Sequence, residues 1–269
     1  MLLRTATPKL RFALPTGHPE NAQRAWALAM GAPLVASEGY ALDALTQPDA
    51  PGTAALKARV ATRMKTFWSV QDRRTLIATL NWLGREGHRV GHMARLTDYS
   101  VSPLQNIAER RKELGKTADY DEDARAELYR IDALLSDHLG MLKAKFLAFD
   151  TARAVMLVYG GRLHDWLSED ECWPYLFDMA RDVQRTYESW GDYAEDFLRG
   201  RSFWKGAEFS ERNEIDRLTQ KLLSTRHSPW RLTWAQPLPP QVAPARLRDV
   251  SEPISQGPVW WLEKTGDAL

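Results

Sequence analysis

The stretch from Phe149 to Trp204 constrains this chain more than any other. It reads FDTARAVMLVYGGRLHDWLSEDECWPYLFDMARDVQRTYESWGDYAEDFLRGRSFW. An almost wholly apolar helical run, interrupted by Asp150 and Arg153, is followed by two capped amphipathic helices with aromatics at helical spacing. A helix that is apolar nearly all round has no face to give to water and belongs in the centre of a fold. The predicted class is therefore mainly α, a multi-helix domain whose most buried helix lies within residues 140–160.

Capping signals place the neighbouring helices. Ser168 with Glu171 has the spacing of a capping box, and Cys172, Leu176, Met179, Val183 and Tyr187 form one stripe behind it. Pro174 interrupts that pattern, so a kink is expected there, or a helix that starts at Pro174. Ser189 with Asp192 repeats the logic for Trp190 to Leu198, with Gly200 as the stop. Upstream, the pattern predicts helices from Pro19 to Met30, Ala54 to Phe67, and Arg73 to Glu86 behind an Asp72 cap. Gly87 ends the last of these. Ser102-Pro103 opens a charged helix to Leu114. From Asp121 to Phe149 apolar residues recur at three and four, and Asp150 either continues that helix or caps a new one to Tyr159, stopped by Gly160-Gly161. Ser210 begins a last charged helix to Leu223.

Residues 1–18 read as an extended arm, and 19–223 as the helical domain, with 95–138 an insertion within it. Seven prolines between Pro229 and Pro258 forbid long helices in residues 224–269. This Pro/Trp-rich tail is irregular, and Trp230, Trp234, Trp260 and Trp261 suggest that it packs onto the body. Most of the eleven tryptophans are expected in the core.

A net charge of +1 gives no global argument for nucleic acid or a membrane surface as partner. One cysteine excludes an internal disulfide and fits a reducing, cytoplasmic setting. The N-terminus lacks a continuous apolar leader, and no run approaches the ~18 residues of a membrane span.

Chemistry-bearing residues are few. Asp150 and Arg153, three apart, share a helix face. Buried charge needs a partner, so they are expected to pair with each other or with Arg201, in a hydrogen-bonded cluster beneath Trp204. That cluster is either a structural network or an anion-binding arginine oriented by a carboxylate. His88 and His92 have a spacing that can serve a metal, but no third ligand accompanies them. A polar helix terminus, with His88 and Arg89 complementing the dipole, suits them better. His164, Asp165 and the acids 169–171 read as first-turn acids at a helix start, and Cys172 as an inert core thiol. Arg110 to Lys116 reads as a solvated basic face. No phosphate loop, HExxH, GxSxG or CxxC pattern occurs, and no cofactor or metal is expected.

The phrases TFWSVQDRRTLIATLNWLGREGHR (66–89) and FDTARAVMLVYGG, LSEDECW and SWGDYAEDFLRGRSFW (149–204) resemble a bacterial family known only as domain of unknown function 1266. Trp68, Asp72, Arg89, Asp150, Arg153, Ser168, Trp173, Trp190, Gly200, Arg201 and Trp204 carry the resemblance. Pro174 departs from it, standing where a helix former is usual. The resemblance implies a fold and names no activity. Two functional expectations follow. One is a non-catalytic protein-binding module, an immunity or accessory protein whose partner is a toxin or secretion-system component. The alternative is an enzyme of unknown reaction with a polar pocket around Asp150, Arg153 and Arg201.

Overall fold

The computed structural model describes residues 12, 19–45, 53–207 and 213–242. They form an all-α fold: α1 Pro19–Ala29, α2 Ala32–Ser37, α3 Thr53–Trp68, α4 Arg73–Arg85, α5 Gly87–Val101, α6 Leu104–Gly115, α7 Glu122–Leu135, α8 Leu147–Leu163, α9 Glu169–Thr186, α10 Trp190–Lys205 and α11 Glu214–Ser224. Among the described residues there is no strand, and no helix long and apolar enough to cross a membrane.

Helix α8 is the axis of the fold, and α2, α3, α4, α5, α9 and α10 pack around it. Its apolar sequence explains why. Ala148, Ala152, Ala154, Val155, Leu157, Val158 and Tyr159 have no measurable exposure, so every side of the helix is covered. Full burial of each large aliphatic side chain stabilises by about 1.5–3 kcal/mol. The Gly160-Gly161 pair does not stop α8. A Cβ on Gly160 would collide with Met64, and one on Gly161 with Leu76, so both glycines admit close neighbours and the helix runs on to Leu163.

Gly200 behaves in the same way. It lies under Phe149, with no room for a Cβ, and α10 continues to Lys205 before Gly206 ends it at φ 64°.

The predicted helix from Asp121 to Phe149 is broken in the structure. Helix α7 stops at Leu135, a 3₁₀ turn covers His138–Lys143, and α8 starts afresh at Leu147. Asp137, Leu139, Gly140 and Phe146 all have positive φ. Arg199 Nε donates to the Leu139 carbonyl at 2.7 Å, and Asp196 accepts from the amides of Lys145, Phe146 and Ala148. These tertiary bonds satisfy a turn that local periodicity does not announce.

Three of the predicted caps are present. Asp72 makes a reciprocal box with Thr75, Ser168 with Glu171, and Ser189 accepts from the Asp192 amide. Helix α9 starts at the Ser168 cap and passes through Pro174, rather than starting at Pro174. Ser102 closes α5 by donating to the Asp98 carbonyl, and does not cap α6. The expected start at Ser210 lies outside the described residues; α11 opens on an Asn213 cap. Two helices, α2 and α5, were not predicted at all.

After α11 the chain is irregular apart from the turn Pro229–Arg231. Trp230 donates to the Ala29 carbonyl at 2.8 Å, and Trp190 donates to the Leu232 carbonyl at 3.0 Å. Trp26 meets the rings of Trp190 and Trp234 at 4.8 and 5.3 Å. Trp26, Trp68, Trp82, Trp173, Trp190 and Trp230 are buried, while Trp166, Trp204 and Trp234 are partly so. Trp260 and Trp261 lie outside the described residues. Helices α6 and α7 pack on each other around Ile107, Leu114, Ala124 and Ile131, a small cluster separate from the main core.

Candidate functional site

Asp150 sits in the first turn of α8 with 1% of its surface exposed. Its carboxylate is aimed at the start of α5. Oδ1 accepts from the His88 amide at 3.1 Å, and Oδ2 from the Arg89 amide at 3.0 Å. The first amides of a helix have no partner inside it and carry the positive end of its dipole. Asp150 therefore caps α5 from another helix. Gly87, at φ +61°, makes this approach possible, because a Cβ there would overlap the carboxylate.

The neighbouring side chains complete the centre. His88 Nδ1 lies 3.2 Å from Asp150 Oδ1, and Arg89 Nη1 lies 3.3 Å from Oδ2. Arg89 also donates to the Leu83 and Gly84 carbonyls at 2.7 and 2.9 Å, which closes the C-terminal end of α4. One arginine thus serves the end of α4, and one aspartate the start of α5. Burial alone pushes the Asp150 carboxyl up, but the His88 and Arg89 donors and the charge of Arg153 hold it below the usual carboxylate value. Burial pulls the His88 imidazole down, with Arg153 adding to the effect and Asp150 opposing it.

The expected cluster of Asp150, Arg153 and Arg201 is not joined by hydrogen bonds. Arg153 shares the helix face but extends away into an aromatic cage. Its guanidinium carbon lies 3.7 Å from the Phe149 ring, 4.5 Å from Trp204 and 5.5 Å from Trp68. Its Nη1 is buried with no acceptor among the described residues. Burial works against its charge, Asp150 supports it, and Arg201 repels it. Arg201 points elsewhere: Nε donates to Asp216 at 2.9 Å and Nη2 to Asn213 at 2.7 Å. Spacing along α8 correctly put Asp150 and Arg153 together but could not show that a nearer glycine turn would claim the carboxylate.

Asp196, on α10, was missed by sequence reasoning. It is 1% exposed and bonds the amides of Lys145, Phe146 and Ala148, so it caps α8 as Asp150 caps α5. Tyr187 donates its hydroxyl to the same carboxylate. The signal was present in the sequence: Asp196 falls among Tyr193, Ala194 and Phe197, on the apolar side of its helix.

Other candidates resolve into structural roles. His92 is packed between the Phe146 and Phe203 rings, 5.2 Å from each. Among the described residues no group of three His, Cys, Asp or Glu side chains is placed to hold a metal. His164 stacks on Trp166, Asp165 pairs with Arg162, and Glu171 pairs with Arg73 at 2.6 Å. The Cys172 thiol donates to the Ser168 carbonyl, and burial pushes its pKa up to about 12, so it is a poor nucleophile.

A sequence model of the family described as Protein of unknown function (DUF1266) matches residues 63–234, and the chain belongs to that family. The matched stretch contains the whole polar centre. No curated protein and no solved structure matches the chain.

Proposed function

We propose that this protein is a non-catalytic protein-binding module and that its contact surface is the outer face of α5. The observation that carries this reading is the division of that helix. Its inner side presents His88, His92 and Leu96 to the core. Its outer side presents Val90, Met93, Thr97 and Val101 at helical spacing, and Leu104 follows just beyond. Val90 is 53% exposed, Val101 75% and Leu104 78%. Apolar side chains aligned on a helix, rather than scattered, mark an interaction surface.

The occupant expected is an apolar protein surface with a basic rim. Glu86 and Asp98 flank the stripe, both exposed, and neither makes an ion pair among the described residues. Charges arranged in this way set orientation and encounter rate more than affinity.

Binding is favoured over catalysis because the oxygens of Asp150 and Asp196 are engaged by backbone amides. A carboxylate already accepting several hydrogen bonds is a poor base. A buried single cysteine suits a reducing compartment such as the cytoplasm. The alternative enzyme reading retains one supporting observation, the buried Arg153 Nη1 without an acceptor, which an anion would satisfy.

Site-specific photo-crosslinking in the native host tests the proposal. A crosslinker at Val90, Met93 or Val101 is expected to give one adduct of common size, and the adduct from position 101 is expected to be lost when the same chain also carries Met93→Glu. Tyr120, which is 77% exposed on another part of the surface, serves as control. No adduct from α5, or the same adducts from Tyr120, would contradict the proposal.

A further inference from the structure

Helices α5, α6 and α7 are joined to the rest of the chain by two turns of unusual backbone. Gly87, at φ +61°, opens the first. In the second, Asp137, Leu139, Gly140 and Phe146 all lie at positive φ. A bulky residue such as leucine or phenylalanine occupies that region only when its surroundings hold it there. Each turn is held by one buried carboxylate from the body of the fold. Asp150 accepts from the His88 and Arg89 amides, and Asp196 from those of Lys145, Phe146 and Ala148. Between the turns the three helices cohere. Ile107, Leu114, Ala124 and Ile131 make a core of their own, with Tyr99 of α5 and Leu128 of α7 packed against it, and the Tyr99 hydroxyl donates to Glu127.

The seam between this unit and the body is narrower and more polar. Of α5, only Gly87 and Leu96 are buried. Arg130 of α7 crosses to the Phe203 and Trp204 carbonyls at 2.8 and 3.1 Å. His92 stands in the seam, its ring 5.2 Å from Phe146 in the second turn and 5.2 Å from Phe203 of α10. Its Nδ1 is buried with no hydrogen-bond partner among the described residues. The charged or titratable groups facing it are His88 on its own helix, Asp150 and Arg153 from α8, and Arg130 from α7. The second turn and α10 offer it aromatic rings, and α4 meets the neighbouring His88 through the Trp82 ring. Of these groups only Asp150 favours a proton on His92. A charge placed there has lost water and gained no partner, which is costly.

We infer that α5, α6 and α7 swing away from the body as one unit about these two turns, and that protonation of His92 drives the opening. The small core inside the unit keeps its three helices together while the seam parts. Once open, His92 is hydrated and takes up a proton at its ordinary pKa of 6.5, which the closed seam refuses. Opening is therefore favoured as pH falls below 6.5, and closure is restored above it. Between pH 7.5 and 5.5 such a histidine raises the open fraction about tenfold. The movement needs no partner protein and does not depend on the contact surface proposed above.

Amide hydrogen exchange on the full chain at pH 7.5 and 5.5 tests this, with rates expressed as protection so that the pH dependence of the chemical step cancels. At both pH values the amides of His88, Arg89, Lys145 and Phe146 are expected to be at least about tenfold less protected than those of Ile107 and Ile131, because the turns open while the unit stays folded. Their protection should fall about tenfold or more from pH 7.5 to 5.5, and His92→Leu should remove a factor of about ten from that fall. Equal protection of the turns and of Ile107 and Ile131 at pH 5.5 would mean that the seam opens only by unfolding, and the swing would be overturned. Turn amides with the same protection at both pH values, or a fall that His92→Leu leaves unchanged, would overturn His92 as the trigger. Both comparisons on the parent chain decide the matter even if His92→Leu does not fold.

Discussion

Asp150 reaches the first amides of α5 only because Gly87 has no side chain. Gly87 holds φ +61° at the junction between α4 and α5, and the Asp150 carboxylate occupies the place its Cβ would take. The turn and the cap are therefore one device: the glycine bends the chain, and the aspartate from α8 satisfies the amides that the bend leaves exposed.

Gly87→Ala is expected to destabilise the protein by about 2–4 kcal/mol. A non-glycine residue in the left-handed region costs about 1–2 kcal/mol, and displacement of a buried carboxylate adds to that. Gly115→Ala is the control, since nothing lies within 4 Å of its added methyl and its φ is not positive. That change should be neutral or slightly stabilising. Urea unfolding of both variants measures the difference.

Arg153→Met is expected to leave stability within about 1 kcal/mol of the parent or to raise it, because an apolar side chain of similar length suits the cage and removes an unpaired donor. Arg153→Ala should cost about 2–5 kcal/mol through the cavity left against Phe149 and Trp204. If Arg153→Met costs as much as Arg153→Ala in the same unfolding experiment, the guanidinium itself is needed, and the reading of this residue as caged ballast fails.

Much of the fold was legible in the sequence, and the limit is physical. The Asp72, Ser168 and Ser189 caps are local: donor and acceptor lie within three residues, so spacing suffices to find them. The Asp150 and Asp196 caps join residues 62 and 50 positions apart, and only tertiary packing reveals them. Glycine misled for the same reason. Gly160, Gly161 and Gly200 sit inside helices to admit Met64, Leu76 and Phe149, a role that no neighbouring residue announces. For the polar centre, the sequence pointed to Asp150 and Arg153 but expected them to pair with each other or with Arg201, whereas Asp150 bonds the start of α5 and Arg201 bonds Asp216 and Asn213. Helix spacing says which residues share a face and is silent about which side chain turns away.

Stability should fall as pH drops from 7 to 5, in part through His92. Burial holds its folded pKa well below the ordinary 6.5; His88, Arg153 and Arg130 add to this, and Asp150 opposes it. Below 6.5 the unfolded chain takes up a proton that the folded chain refuses, so the full stability is present above that pH and is lost beneath it. Each such histidine contributes a slope of up to about 1.4 kcal/mol per pH unit. His92→Leu should remove its share and flatten the thermal unfolding profile over this range, and His88, whose pKa is also lowered, should account for part of what remains.

The claim on which the rest depends is that Asp150 serves the start of α5 rather than a reaction. Amide hydrogen exchange in Asp150→Asn measures it residue by residue. Exchange at His88, Arg89 and the next turn of α5 is predicted to accelerate at least about tenfold over the parent, the factor that 1.4 kcal/mol corresponds to. The amides of α9 and α10 should stay protected. Parental exchange rates at His88 and Arg89 in Asp150→Asn would contradict the claim.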